Sequence, residues 1–387
     1  MTDRALFLSV VLLMTIGIIL AYSLSTYAII LLDYGPFHFA YRQVGFAFVS
    51  IITMWFVSRL EPETWLHRIG LTLFFLGLFL MIIMPFLPAS LVSEVGGAKR
   101  WIKLFGFSLA PVEFFKIGFV YFLAWSFTRK LSSHHSELRL RDEFARFFPY
   151  AIVFVMVMFL IAFMQNDLGQ VVVLGLTLAF LLFFAGSSFK FFLSLIFLAF
   201  AFFLFFIATT AHRIDRIKSW WASVQGFVLS FFPESIAEHL RISVTEEPYQ
   251  IGHSLNAIHN GGFFGTGLAN GTFKLGFLSE VHTDFVLSGL AEEFGFVGVL
   301  FVTIIVIFVL QRIFKIANRS TNTIFYLFSV GIGLLFAFTF LMNAYGISGL
   351  TPIKGISVPF LSYGGSSMLA ASIGMGMVLM ISKRMKR

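Results

Sequence analysis

The chain has 387 residues, 58% hydrophobic and only 12% charged, with a mean hydropathy of +0.92. A soluble domain carries about a quarter charged residues, so this composition excludes one and points to a polytopic membrane protein. The formal net charge of +8 then reflects membrane topology and anionic lipid rather than nucleic acid, and the lack of cysteine excludes disulfide and thiol chemistry.

A helix needs about 20 apolar residues to cross the hydrocarbon. Ten runs qualify: 5–30, 40–58, 69–88, 111–128, 148–165, 168–186, 189–210, 285–311, 322–345 and 360–382. The expected fold is all-α, a single integral membrane domain over 1–387. It has about ten transmembrane helices and a long extracytoplasmic loop, 211–283, between helices 7 and 8. With both termini cytoplasmic, that side holds 16 of the 27 Lys and Arg residues but 6 of the 19 Asp and Glu, as the positive-inside rule requires.

The first run resembles a signal sequence, with Ala21-Tyr-Ser23 like a cleavage site, but nine further spans favour an uncleaved first helix. The outer segment 89–110 carries Lys99, Arg100 and Lys103 around Trp101, as interfacial anchors or as part of a cationic vestibule. Glu113 and Lys116 lie three apart on one face of the fourth span, so they form a structural ion pair or offer positive charge to an anionic headgroup. The charged run 129–147 reads as a solvated cytoplasmic loop, and Asp167 as a turn residue before Gly169.

In the loop 211–283, the aromatic pieces of 220–232 read as helices lying in the membrane interface, and 249–260 as a short helix ended by Gly261-Gly262. Asp284, in Glu280-Val-His-Thr-Asp-Phe, precedes the eighth span. It either caps that helix or serves as a general base, with His282 and Thr283 beside it; an ionisable group at such depth is a functional hypothesis by default. Glu292 and Glu293, two turns further on, require inward-facing partners. The histidines lack a metal-ligand spacing. In 349–367, two prolines and several glycines interrupt an apolar run, so irregular backbone there either lines a cavity or packs as a re-entrant hairpin. On the cavity reading Ser362, Tyr363, Ser366 and Ser367 offer neutral donors to a sugar or phosphate, and Lys354 adds positive charge. No internal repeat is visible, which disfavours a transporter built from inverted repeats.

Eight motifs in order resemble the SEDS family (shape, elongation, division and sporulation). They are Gly97-Ala-Lys-Arg-Trp-Ile102, Pro111-Val-Glu-Phe-Phe-Lys116, Gln165-Asn-Asp-Leu-Gly169, Tyr249-Gln, Gly261-Gly-Phe-Phe-Gly-Thr-Gly267, His282-Thr-Asp-Phe285, Ala291-Glu-Glu-Phe-Gly-Phe296 and Pro359-Phe-Leu-Ser-Tyr-Gly-Gly-Ser-Ser367. The chain departs from the family pattern at Asn166, Val112 and Ser279, and 226–245 matches least. The Pro-Ile-Lys-Gly context of Lys354 is more like the division member than the elongation member.

The resemblance implies a peptidoglycan glycosyltransferase of the bacterial cytoplasmic membrane, at the division septum. It would polymerise lipid II at the outer face, extending an undecaprenyl-linked glycan by an inverting mechanism. The family's essential aspartate falls on Asp284 and its cavity pair on Glu113 and Lys116. Lys99, Arg100, His282, Lys354, Ser362 and Ser366 are candidate substrate contacts. Expected partners are a class B penicillin-binding transpeptidase and other division proteins. No protein cage for a metal is visible, so any Mg²⁺ or Mn²⁺ would be held by pyrophosphate oxygens. A lipid II flippase, a recruiting scaffold and an elongation-type polymerase are the alternatives. A flippase needs a polar path through the whole membrane, and the runs 189–210 and 322–342 carry almost no charge.

Overall fold

The computed structural model describes residues 2–95, 98–104, 107–130, 139–208, 211–242, 249–351 and 355–384, without the side chains of 94, 95, 98, 104, 130, 202, 203, 205–208, 211–213, 216, 223 and 227. The first half of the chain forms α1 (Arg4–Leu24), α2 (Thr26–Leu31), α3 (His38–Arg59), α4 (Pro62–Ile83), strands β1 (Val92–Val95), β2 (Ala98–Leu104) and β3 (Phe107–Leu109), α5 (Pro111–Lys130), α6 (Leu140–Phe159) and α7 (Leu168–Phe184). The second half forms α8 (Phe189–Ala208), α9 (Ala211–Leu229), α10 (Glu234–Leu240), α11 (Tyr249–Gly261), α12 (Val286–Asn318), α13 (Thr323–Ile347) and α14 (Gly365–Ile381).

Each expected span falls on a helix: α1, α3 to α8 and α12 to α14. Among the described residues, seven of these are long and apolar enough to cross a membrane. The apolar helix α7 and the described apolar part of α8 are shorter, and α5 carries Glu113 and Lys116. Side-chain caps set several starts: Asp3, Asp167 and Asn322 accept from Leu6 N, Gln170 N and Ile324 N at 3.0, 3.2 and 2.9 Å.

The helices α13 and α14 form the centre of the bundle, with 72% of each span buried against 28% for α3. Without a hydrophobic drive between helices in lipid, close packing depends on small residues. A Cβ at Gly118 of α5 would fall 2.2 Å from Phe74 N of α4, so no larger residue fits between these backbones. At the end carrying both termini, Asp3 pairs with Arg312 at 2.5 Å, and Lys383 Nζ donates to the carbonyls of Arg59 and Leu60 at 2.6 and 2.9 Å.

Three features differ from the sequence reading. The segment 89–110 is not a plain loop: β1, β2 and β3 form an antiparallel sheet in which Val92 and Leu109 both pair with Ile102. The first span ends at Leu24, where Ser25 Oγ bonds back to Ala21 O at 2.6 Å, and α2 follows as a separate turn. The eighth span is broken at Gly295, whose φ of 65° and ψ of −164° leave the helix.

The glycine turn after α11 fills that break. Thr266 N and Gly267 N donate to the carbonyls of Glu292 and Glu293, both at 2.9 Å, while Phe296 N and Val297 N donate to Gly262 O and Phe263 O at 3.0 and 3.2 Å. The approach requires glycine. A Cβ on Gly265, which has φ +82°, would lie 2.2 Å from Glu293 O. Glu292 and Glu293 have the inward partners their position demanded. Glu292 Oε1 accepts from Thr272 N, Phe273 N and Asn260 Nδ2 at 2.6, 3.1 and 3.0 Å. Glu293 pairs with Lys274 Nζ at 2.7 Å and accepts from Ser23 Oγ at 2.5 Å. The segment 286–294 is therefore a short buried helix, and 296–318 is the part that crosses the bundle.

Candidate active site

Asp284 is held by its backbone. Its N–H donates to Glu280 O at 3.0 Å, and Glu280 itself turns the chain at φ 55°. Three successive carbonyls are then tied to the C-terminal part of the fold. His282 O accepts from Tyr363 N at 2.9 Å, Thr283 O from Ser362 Oγ at 2.6 Å, and Asp284 O from Asn343 Nδ2 at 2.6 Å. The same Asn343 amide donates to Ile356 O at 2.7 Å, so α13 clamps the Asp284 turn to the irregular segment 355–364.

The carboxylate is not spent on this scaffold. Phe285, not Asp284, occupies the N-cap of α12, and no side chain caps that helix. The capping role open from sequence is therefore absent. Gly355 passes close enough that a Cβ there would lie 2.6 Å from Asp284 Oδ2. Burial, then the negative charges of Glu280 and Asp167, push the Asp284 carboxyl up to about 7, against the partly opposing Arg100. A carboxyl in that range exchanges its proton near neutral pH, which suits a general base. His282 is buried between Phe39 and Tyr363, at ring distances of 5.1 and 5.6 Å, and burial lowers its pKa, so the ring is neutral.

A second cluster lies across α5 and α7. Lys116 Nζ meets Glu113 Oε2 at 2.9 Å and Gln170 Oε1 at 2.9 Å, and Gln170 Nε2 donates to Glu113 Oε1 at 3.2 Å. Glu113 and Lys116 line a narrow cleft with Thr339, Ser357, Pro359 and Ser367. Asp167 connects the clusters, since its Oδ1 caps Gln170 N and its charge acts on Asp284. Burial raises its own pKa, opposed by Arg100 first, and then by the Gln170 N–H and Lys116.

The remaining candidates hold backbone. Arg100 donates from Nε to Gln165 O at 2.7 Å and from Nη2 to Asn166 O at 2.9 Å, which fixes its charge beside Asp167 and Asp284. Lys99 Nζ donates to Pro85 O and Leu87 O at 3.0 and 3.2 Å, closing the end of the α4 segment. The Ser362 hydroxyl donates to Thr283 O and accepts from Val358 N, and Ser366 donates to Ser108 O and accepts from Ala110 N. Two of the four hydroxyls expected to face a sugar or phosphate are thus already engaged. Lys354 lies outside the described residues. Among the described residues, no three or more His, Asp or Glu side chains are grouped to hold a metal ion.

The sequence reading missed Gln170, Asn343 and Gly355. Gln170 and Asn343 are polar residues inside the apolar runs 168–186 and 322–345, which is the signal that could have found them.

The family model described as cell cycle protein, covering FtsW, RodA and SpoVE, matches residues 3–387. The chain belongs to that family. It is 49% identical over 386 residues to the probable peptidoglycan glycosyltransferase FtsW of Helicobacter pylori (strain ATCC 700392 / 26695), covering 100% of this chain and 99% of the relative. The protein of the same name from Trichlorobacter lovleyi is 34% identical, with 99% and 94% covered. Among solved structures, a chain of a peptidoglycan synthase complex superposes with a TM-score of 0.72 at 21% identity, covering 99% of this chain and 98% of that one. The rod shape determining protein RodA of Thermus thermophilus gives 0.65 at 22% identity, with 100% and 98% covered. These two likenesses establish the FtsW/RodA fold for the whole chain.

Proposed function

We infer that this chain is a peptidoglycan glycosyltransferase that polymerises lipid II during cell division. The observation that carries the reading is Asp284, a half-buried carboxylate free of the capping role, raised to about 7, in a segment held by three backbone ties. The curated relatives bearing the name FtsW support both the activity and the division role.

Asp284 takes the proton of the 4-hydroxyl of the acceptor's N-acetylglucosamine. That oxygen bonds to the anomeric carbon of the growing glycan with inversion, and the bond from this carbon to the diphosphate oxygen breaks, releasing undecaprenyl diphosphate. A positioned base contributes about 10²–10⁴-fold. Lys116, at the cleft, and Arg100 are the fixed cations that balance charge developing on the leaving diphosphate. A divalent ion taking part would be held by diphosphate oxygens.

Asp284 faces the extracytoplasmic side when the Arg- and Lys-rich end carrying both termini is cytoplasmic. Both polyprenyl tails then stay in lipid while the sugars meet above it. The fold shared with a chain of a peptidoglycan synthase complex supports a class B penicillin-binding transpeptidase as partner, and the division role supports a septal location.

The test uses purified protein with its cognate transpeptidase and labelled lipid II. Wild type should build glycan strands and Asp284→Asn should build none. Equal polymerisation by the two proteins would remove the base, and lipid II translocation in liposomes without polymerisation would replace the enzyme by a flippase.

A further inference from the structure

Gln170 sits three residues past the Asp167 cap, at the start of α7, and takes part in two structures at once. Its backbone N–H is bonded to Asp167 Oδ1 at 3.2 Å. Its side chain completes a three-membered ring with Glu113 and Lys116 of α5, through contacts of 2.9 and 3.2 Å, while Lys116 and Glu113 close the third side at 2.9 Å. The amide orientation is forced by its neighbours, because only the oxygen can accept from an ammonium and only the NH₂ can donate to a carboxylate. Gln170 and Lys116 are each 5% exposed, so these bonds are not shared with bulk water.

The ring fixes how much of Lys116 is left over. Two of its three N–H groups go to Glu113 and Gln170, and both Glu113 oxygens are engaged. Among the described residues, no other acceptor meets the third N–H, and Lys116 lines the cleft with Thr339, Ser357 and Ser367. Without the amide, a buried ammonium beside a carboxylate folds onto both of its oxygens, and the pair presents a neutralised face. With the amide in place, Glu113 is divided between two donors and Lys116 keeps a directed donor for an anion.

We propose that Gln170 is a positioning residue, which holds Lys116 with one N–H aimed into the cleft for the diphosphate of a polyprenyl-linked sugar. This rests on the glycosyltransferase reading given above. The backbone N–H of Gln170 fixes Asp167, and Arg100, bonded to the carbonyls of Gln165 and Asn166, acts on both Asp167 and Asp284.

The experiment uses the full chain in detergent micelles. Binding of a polyprenyl diphosphate and of the corresponding polyprenyl alcohol is titrated, and thermal melting is recorded for each variant. Gln170→Met keeps length and volume but neither accepts from Lys116 nor donates to Glu113. Gln170→Glu keeps the acceptor and sets a second carboxylate against Glu113. Each should weaken diphosphate binding by about 10- to 100-fold, as expected for the loss of hydrogen bonds to charged groups, with alcohol binding unchanged. The exchanged pair, Glu113→Gln with Gln170→Glu, restores one carboxylate, one amide and one ammonium to the ring. It should recover affinity to within about threefold of wild type.

Wild-type affinity in folded Gln170→Met, or equal losses for diphosphate and alcohol, would overturn the proposal. An exchanged pair no better than Gln170→Glu alone would overturn it as well. If Gln170→Met is not recovered folded, the exchanged pair carries the test. Wild type that binds diphosphate but builds no glycan would count against the enzyme reading and leave the role of Gln170 at the cleft standing.

Discussion

Replacing Lys274 by methionine should unfold this protein more readily than almost any other single change of charge. Lys274 and Glu293 form an ion pair at 2.7 Å with side chains 2% and 0% exposed. At an effective dielectric near 20, two charges at that distance attract by about 6 kcal/mol, most of which offsets their desolvation. The pair itself is therefore worth little net, but removing one partner exposes the full cost of the other. The carboxylate would keep Ser23 Oγ at 2.5 Å and lose its counter-charge. The expected cost is about 3–5 kcal/mol, a fall in melting temperature on the order of 5–10 °C. The consequences extend beyond the pair. Glu293 O also receives Gly267 N at the Gly295 break, so the turn 261–276 and the short helix leading from Asp284 depend on the same contact. The assay is thermal melting in a mild detergent. Lys274→Met with Glu293→Gln removes both charges together and should regain most of the loss. Single-variant melting equal to wild type, or a double variant worse than the single, would refute the reasoning.

Asp284 sets opposite pH trends for activity and stability. Its carboxyl rises from an ordinary 3.8 to about 7 in the fold, so the base form needed for transfer appears as pH climbs through about 7, and the initial rate should rise with it. Because the folded-state pKa is the raised one, the site's stabilisation is full below about pH 4 and is lost as pH rises to about 7. Asp284→Asn, inactive, should then melt higher than wild type at pH 8, by the order of 2–4 kcal/mol, and the same or lower at pH 4. Asp167→Asn removes a charge that raises the Asp284 pKa and should move the midpoint of the rate profile to lower pH; Arg100→Gln should move it higher. Gly355→Ala sets a methyl 2.6 Å from Asp284 Oδ2 and should cut kcat by about 10- to 100-fold through misplacement of the carboxylate, with a melting temperature close to that of wild type.

The ten helices that fall on the apolar runs were legible in the sequence because lipid offers backbone groups no other partner, so apolar length translates directly into helix. What the apolar pattern could not convey was pairing between distant segments. The sheet alternates side chains from Lys99 to Lys103, but that run of five residues reads equally well as charged anchors around Trp101. The break at Gly295 is invisible locally, since glycine is common within membrane helices. It exists because the backbone of 262–267, some thirty residues earlier, supplies donors and acceptors in place of the helix's own. Glu292 and Glu293 announced that partners must exist, and the structure supplied Thr272, Phe273, Lys274 and Ser23, none of which the sequence marks as a partner.

The polar residues gathered at the Asp284 end divide by what they satisfy. The backbone at Ser108, Thr283, Asp284 and Ile356, and in the segments that follow α4 and α6, leaves carbonyls with no helical donor, and side chains supply one. Lys99, Arg100, Asn343, Ser362 and Ser366 are used in that way. That is why Lys99, Arg100, Ser362 and Ser366, which look alike in sequence as substrate contacts, turn out to be framework. The same accounting leaves a remainder. The Asp284 carboxylate caps nothing, pairs with no cation within ion-pair distance among the described residues, and sits in a field that raises it to about 7. Lys116 keeps one N–H beyond those needed by Glu113 and Gln170. Among the described residues, the Asp284 carboxylate and one Lys116 N–H are thus left without a charged or hydrogen-bonded partner. These are the two functions that transfer from a diphosphate-linked sugar demands.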